Sequence, residues 1–539
     1  MKQQFVLLIA SLVLFGINCI SATHWVVLVA GSNGWYNYRH QADVCHDYQI
    51  LHKNGIPDSN IIVMMYDDLA HNQQNPTKGI IINHPNGTDV YHGVPHDYNG
   101  KNVTPKNFMN ILLGNKEAMQ GIGSGKVLES GPDDNVFIYF ADHGAVGLVA
   151  FPTGVLYAKD FNDTIMKMHS QNKYKQMIIY IEACESGSMF ENILLNNINI
   201  YATTASNSIE SSYACYYDEK RQTYLGDLYS VVWMEDSDVE KINQESLYQQ
   251  YLITKKNTNT SHVMQYGDLI LGKIHNVSEF QSTEKQSDKS QHYFIQDYDN
   301  NGLQHDAVPT ESVRLSIIAR RLSNIEENSF EKENLERQLT QLLNDRAIII
   351  NYMQKIASIA LSMTSSDYLE MIIEKHMKLT EHDCYISVTQ YIQEQCFDLQ
   401  NELVLNKLYI MVNLCEIGLD NFTINQAIDQ VYATDNKQTV YARIGINEEN
   451  RIGTSWIAFE ECSALELSIS EHTLWLLTSC GQIQCRENIS ITNPIGTRST
   501  TLPGRFLSLT VSIDDSQVWA LDSKRNLLKL DRLTVLFEK

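Results

Sequence analysis

Two motifs place reactive side chains directly after apolar runs. Val136-Phe137-Ile138-Tyr139-Phe140 leads into Ala141-Asp142-His143-Gly144, and Met177-Ile178-Ile179-Tyr180-Ile181 leads into Glu182-Ala183-Cys184. A cysteine attacks as its thiolate, and a neighbouring imidazole can generate or stabilise that species. If the two runs are adjacent parallel strands, His143 and Cys184 face each other beyond their carboxyl ends, where sites in such sheets form. The backbone amides of Gly144 and Cys184 could then hold an oxyanion, with no side chain in the way at Gly144. Glu182 lies two residues before Cys184, so strand alternation turns it to the same side, where it can line a pocket. A cysteine after an apolar strand is most often a core thiol, and a histidine before glycine a loop residue. Their matched placement is what points to nucleophilic catalysis.

The elements needed to position this pair are present. From residue 24 to about 265, continuous apolar runs (26–30, 61–65, 136–140, 177–181 and 198–201) alternate with helix-like stretches at 42–52, 105–113 and 160–169. Runs without polar alternation read as strands buried on both faces, so the pattern predicts an α/β domain with a mainly parallel sheet. From Gly267 to Ala307 the chain turns polar and loses its period, which reads as a linker. From Glu311 to about Val431 a helical period takes over, with Leu335, Leu339, Leu342 and Leu343 in register and no proline between Pro309 and Pro494. After Asp435 short β-rich runs repeat. Ile452-Gly453-Thr454 returns 43 residues later as Ile495-Gly496-Thr497, and Leu474-Trp475 returns 44 later as Val518-Trp519. A β-rich period in the low forties is the length of one propeller blade.

Composition narrows the function classes. The 539 residues carry 41 Lys+Arg against 64 Asp+Glu, a net charge of −23. So acidic a chain is a poor binder of nucleic acid or anionic membranes, and suits work at low pH. Ten cysteines in this length exclude a small disulfide scaffold. Lys2, the apolar run from Phe5 to Leu14 and small residues near Ser21 read as a secretory signal peptide over 1–22, with no later spanning segment. Seven sequons fit that route: Asn86, Asn102, Asn162, Asn259, Asn276, Asn421 and Asn488. The expected location is the secretory pathway, leading to a lysosome-like acidic compartment or to secretion.

The motifs resemble the legumain family of asparaginyl endopeptidases. Asp142-His143-Gly144 and Glu182-Ala183-Cys184-Glu185-Ser186-Gly187-Ser188-Met189 carry the likeness, with 37–43, 63–68 and 211–217, and it runs from about residue 24 to 432. The resemblance implies a caspase-like fold, Cys184 as nucleophile, His143 as catalytic histidine, Asn37 as its helper and Gly144 in the oxyanion hole. It also implies that Asp142 is the aspartate that can form a succinimide. Arg39, His40, Glu182, Ser212 and Asp227 match the substrate pocket, where a carboxamide can accept from Arg39 and donate to Glu182 and Asp227. No metal or cofactor is implied. The helical segment resembles the family's pro-domain, an intramolecular inhibitor released by acid, with Asn324 as the processing site and Asn328 or Asn334 as substitutes. Of the family's two interleaved pro-domain disulfides, the resemblance implies Cys384–Cys415, while the usual partner of Cys396 is replaced by Tyr432.

The last hundred residues are not legumain-like. They resemble tectonin-type β-propeller repeats, enough for two or three blades without a closed ring and for a ligand of unknown kind. The expected organisation is therefore a signal peptide (1–22), a caspase-like α/β protease domain (23–266), a linker (267–323), an all-α pro-domain (324–435) and all-β propeller-like blades (436–539). The expected activity is hydrolysis of protein and peptide substrates after Asn, and after Asp at low pH. The alternatives are a peptide ligase using the same site, or a secreted glycan- or surface-binding protein with a vestigial protease.

Overall fold

The computed structural model describes residues 23–283, 306–325, 330–362 and 368–433, and eight strands between Thr439 and Leu530. The signal-peptide segment and Asn488 lie outside the described residues. The chain divides into two units, 1–310 and 311–539.

The strands of the first unit are β1 (His24–Ala30), β2 (Ile61–Met64), β3 (Asn135–Ala141), β4 (Gly144–Ala145), β5 (Leu148–Ala150), β6 (Val155–Tyr157), β7 (Gln176–Glu182), β8 (Ile200–Thr204), β9 (Tyr213–Asp218), β10 (Thr223–Asp227), β11 (Met264–Gly267) and β12 (Val308–Pro309). Six of them form the central sheet in the order β11-β8-β7-β3-β1-β2, parallel throughout except for β11. The apolar runs are continuous because both faces are covered. On one face Leu28, Phe137, Tyr139, Ile178 and Tyr180 pack in a single cluster with residues of α1 (Tyr38–Lys53). On the other, Val29, Ile138, Phe140 and Ile179 pack with residues of α2 (Pro105–Leu112) and α3 (Ala158–Ser170). The first face is completed by α4 (Leu228–Val239) and α5 (Leu247–Asn257).

The polar stretch after Gly267 differs from the linker expected there. It forms α6 (Leu269–Ile274) and α7 (Ser278–Gln281), which place Leu271 and Phe280 in the core of the first unit. Asp268 caps α6 by accepting from the amides of Ile270 and Leu271. With so few apolar anchors among polar residues, no period could show. Further on, β12 pairs antiparallel with β9, Val308 opposite Ala214 and Pro309 opposite Tyr213.

The second unit begins with helices over Val313–Ser323 and Phe330–Ser362. The buried stripe of the long helix is Ile349, Met353, Ile356, Ala357 and Ala360; of the four periodic leucines, only Leu335 is buried. Helices at His382–Gln395 and Tyr409–Glu416 are joined by a Cys384–Cys415 disulfide. The described strands beyond Thr439 pair antiparallel in sheets of five and three, not in four-stranded blades. One reason is visible in the sequence, since Ser455–Ile469 has no Gly or Pro to break it and runs as one 15-residue strand.

The disulfide closes a sequence separation of 31 residues. Constraining such a loop in the unfolded chain is worth about 3–4 kcal/mol. Cys415→Ser should therefore lower the urea midpoint of the helical unit, followed by far-ultraviolet circular dichroism. An unchanged midpoint would show that the bridge does not contribute.

Candidate active site

The register of the sheet levels the two motifs. Ala141 sits opposite Glu182 across β3 and β7, and the Asp142 amide donates to the Glu182 carbonyl at 3.0 Å. His143 and Cys184 therefore leave neighbouring strands at the same height. Gly144 is required there, because a Cβ on it would meet the Cys184 carbonyl oxygen at 2.3 Å. Just past Cys184, Glu185 adopts a left-handed backbone with φ 49°. A non-glycine residue held in that region stores strain, a feature concentrated at functional turns.

Asn37, at the N-cap position of α1, fixes the imidazole. Its Nδ2 donates to the Asn33 carbonyl at 3.1 Å, so its Oδ1 is the atom 2.9 Å from His143 Nε2. His143 Nε2 must then carry the hydrogen, which leaves Nδ1 as the basic nitrogen. Nδ1 is buried and has no hydrogen-bond partner. Burial, and then the positive charge of Arg39, lower His143 to about 3, so the resting imidazole is neutral. The Cys184 thiol is also buried; its Sγ accepts from the Ser212 amide at 3.3 Å and lies 3.7 Å from the Ser212 hydroxyl. A neutral imidazole beside a thiol can take its proton as a carbonyl arrives.

Next to this pair lies a buried cluster of charged side chains. Arg39 is fully buried on α1; its Nε donates to Asp227 Oδ1 at 2.8 Å and its Nη1 to the Tyr36 carbonyl at 3.1 Å. Glu182 Oε2 accepts from the Ser230 amide and hydroxyl at 3.0 and 2.9 Å. Three atoms are left without hydrogen-bond partners: Arg39 Nη2, Glu182 Oε1 and Asp227 Oδ2. Burial, reinforced by the charge of Asp227, raises Glu182 well above the usual carboxylate range; burial raises Asp227 too, against the pull of Arg39. His40 joins the two halves of the site. Its Nδ1 lies 2.6 Å from the Ser32 hydroxyl and 3.2 Å from Asp142 Oδ1, and its Nε2 is 3.5 Å from Asp227 Oδ2. Burial holds His40 neutral and pushes Asp142 up. Together His40, Asp142 and His143 bring potential cation ligands within 4.8 Å, the one such group among the described residues. Two of its nitrogens are already engaged, with Ser32 and Asn37.

The structure thus gathers Cys184, His143, Asn37, Gly144, Asp142, Arg39, His40, Glu182, Ser212 and Asp227 around two strand ends. Sequence reasoning missed Ser230, which clamps Glu182, and Thr310, whose hydroxyl lies 3.2 Å from that of Ser212. Ser230 follows Asp227 by three residues, within the first turn of a helix, and that spacing was a usable signal. Asn324 is exposed just after the helix Val313–Ser323, and Asn334 is exposed within the next helix; Asn328 lies outside the described residues. Among the sequons, Asn86, Asn259 and Asn421 are exposed, while Asn102, Asn162 and Asn276 are partly buried.

Comparison with known proteins gives a consistent result. The peptidase C13 family profile matches residues 24–283. Human legumain is 50% identical over 412 residues, which span 76% of this chain and 92% of legumain. The vacuolar-processing enzyme delta-isozyme of Arabidopsis thaliana is 41% identical over 427 residues, spanning 76% of this chain and 90% of that enzyme. A caspase-1 structure from Spodoptera frugiperda aligns with 46% of this chain and 88% of its own, at 8% identity and a TM-score of 0.27, which carries no argument.

A histidine lowered to about 3 predicts a specific pH profile. Alkylation of Cys184 by iodoacetamide should rise with pH through the thiol's own ionisation and show no step near about 6.5, the value of a free imidazole. A step there that disappears in His143→Ala would reveal a thiolate–imidazolium pair instead.

Proposed function

The chain belongs to the peptidase C13 family and is a legumain-type cysteine peptidase, and from that premise we propose that it is a zymogen cleaving peptide bonds after asparagine. The observation that carries the specificity is the set of three unpartnered atoms in the pocket. A side-chain carboxamide offers one acceptor oxygen and two N–H donors. Arg39 Nη2 supplies the missing donor, and Glu182 Oε1 and Asp227 Oδ2 the two acceptors. An aspartate anion would instead meet two carboxyl oxygens. Protonated, below about pH 4, it presents a neutral carbonyl and one O–H and becomes acceptable.

The chemistry follows from the positions. His143 Nδ1 takes the thiol proton as Sγ attacks the carbonyl carbon on the C-terminal side of the bound asparagine. The tetrahedral oxyanion is met by backbone amides at Gly144 and Cys184. The imidazolium then gives its proton to the departing amine, leaving a thioester. Water attacks that thioester, with His143 again as base, and releases acid and thiol. An amine in place of water would give peptide ligation through the same intermediate.

Latency has support within the first unit. Extended peptides are bound as added strands along exposed sheet edges. The outer edge of β9, which begins one residue after Ser212, carries the chain's own β12. The Asp306 carboxylate accepts from the amides of Tyr216 and Tyr217, and the Thr310 amide donates to the Ser212 carbonyl at 3.0 Å. This favours a pro-segment that occupies the peptide-binding edge in the uncleaved chain, with cleavage near Asn324 parting the catalytic unit from the helical unit. The exposed sequons and a vacuolar-processing relative fit a glycosylated protein of the secretory route working in an acidic compartment. The segment from 436 onward, outside the stretch shared with the family, is dispensable for cleavage.

Two outcomes test this reading. Acid-treated protein should release amine from Asn-containing peptides, and Cys184→Ser or His143→Ala should reduce kcat by roughly three orders of magnitude or more. Arg39→Ala should raise KM for Asn, and the Asn-to-Asp preference should narrow as pH falls towards about 4; a ratio that stays flat across pH would refute the pocket. Separately, Asp306→Ala, which removes the acceptor of the Tyr216 and Tyr217 amides, should leave the uncleaved chain less latent than the unaltered one. Equal latency in both would remove β12 from the inhibition.

A further inference from the structure

The pocket has an odd feature at Asp227. This residue stands at the N-cap position of α4, where an aspartate ordinarily turns its carboxylate onto the helix amides. Here no side-chain cap bond forms, and the carboxylate is given to Arg39. Its backbone is held from elsewhere, by Asp43, one turn beyond Arg39 on α1. Asp43 is fully buried; its Oδ2 accepts from the Asp227 amide at 3.2 Å and its Oδ1 from Asn83 Nδ2 at 2.7 Å.

Asn83 is in turn fully engaged. Its Nδ2 also donates to the Leu225 carbonyl at 2.9 Å, and both partners of Nδ2 are acceptors, so the amide orientation is fixed. Its Oδ1 faces His46 Nδ1 at 2.8 Å, and His46 Nε2 faces Asp238 Oδ2 at 2.9 Å. Both ring nitrogens of His46 meet acceptors, so both carry hydrogens and the ring is a cation in this arrangement. The backbone makes room for the chain of contacts: a Cβ at Gly226 would lie 3.0 Å from Asn83 Nδ2 and 3.2 Å from Asp43 Oδ1. A continuous run of hydrogen bonds therefore leads from the partly exposed His46–Asp238 pair to the floor of the pocket.

We infer that Asp43 and Asn83 are positioning residues for the carboxamide pocket, setting the place of Asp227 without touching substrate. This deepens the asparagine reading and rests on it. Asp43→Asn keeps the shape but cannot accept from both Asn83 and the Asp227 amide. Loosening Asp227 should weaken recognition of the side chain while leaving the thiol and its base as they were.

The test compares steady-state kinetics of the acid-processed full chain on a peptide with Asn, and on its Asp counterpart, with the rate of Cys184 alkylation by iodoacetamide. Asp43→Asn and Asn83→Ala should raise KM for Asn about tenfold, change kcat less than about threefold and leave alkylation unaltered. Asp47→Asn, one turn further along α1 and equally buried, controls for loss of a buried carboxyl and should leave KM as it was. His46→Gln, at the accessible end, retains a donor for Asn83 and supplies a variant that spares the core; it should stay within about twofold of wild type, and His46→Ala should exceed that. Wild-type KM in soluble Asp43→Asn, or kcat and alkylation falling together with it, overturns the inference. If both core variants fail to fold, equal KM in His46→Ala and His46→Gln does the same. An unaltered enzyme with no preference for Asn would instead overturn the pocket reading, and this inference with it.

Discussion

Everything in the catalytic unit depends on the pairing of β3 with β7, Ala141 opposite Glu182. Slipping one strand by a single residue would turn every side chain to the other face and carry His143 and Cys184 out of level. The register is held by burial on both sides of the sheet, Phe137, Tyr139 and Tyr180 on one face and Ile138, Phe140 and Ile179 on the other. Because the strands are parallel, their last residues emerge together, and a thiol and an imidazole from sequence positions 41 apart are brought to the same edge of the sheet. Gly144 follows from the same geometry, since the level strand ends bring its backbone against the Cys184 carbonyl.

Around that level edge the fold buries what it would ordinarily leave in water. Arg39 and Asp227 form an ion pair with almost no exposure. Such pairs are weak contributors to stability, since desolvation consumes most of the attraction, yet removing one partner costs about 3–5 kcal/mol. What the arrangement supplies is direction. Arg39 is held by Nε and Nη1, and Nη2 is left without a hydrogen-bond partner. Ser230 does the same for Glu182, occupying one oxygen and leaving the other. Preorganised donors and acceptors need no rearrangement when substrate enters, which is where their value to catalysis lies.

Much of this was legible in the residues. Apolar runs of strand length, each ending on a reactive group, led to the parallel sheet and to the His143–Cys184 pair, because burial on both faces leaves a mark that survives without any structure. Glu182 was readable from strand alternation. Arg39, His40, Asn37, Ser212 and Asp227 were not readable from spacing at all, and came only through resemblance to a family. They are brought in by helix α1 and by the β9–β10 hairpin, whose contacts span up to 188 residues, and no local pattern encodes such a distance. The elements after Gly267 were missed for a different reason. Short helices docked by single residues such as Leu271 and Phe280 carry too few apolar positions to show a period. Asp43 lay inside a recognised motif and Asn83 in none, and the contacts that link them to Asp227 and Leu225 reach far along the chain.

The buried carboxyls have a consequence for where the molecule can persist. Burial raises Asp47 and Asp142 above their ordinary values, so the folded unit retains protons there that an unfolded chain would release above about pH 4. Their contribution to stability is greatest in acid and declines as pH rises. His40 and His143 act in the opposite sense, since an unfolded chain takes up protons on them below about pH 6.5 while the folded one does not. For the buried carboxyls hydrogen ion is in that sense a ligand of the native state, acting by mass action as a bound cofactor would, and for the two histidines it is a ligand of the unfolded chain.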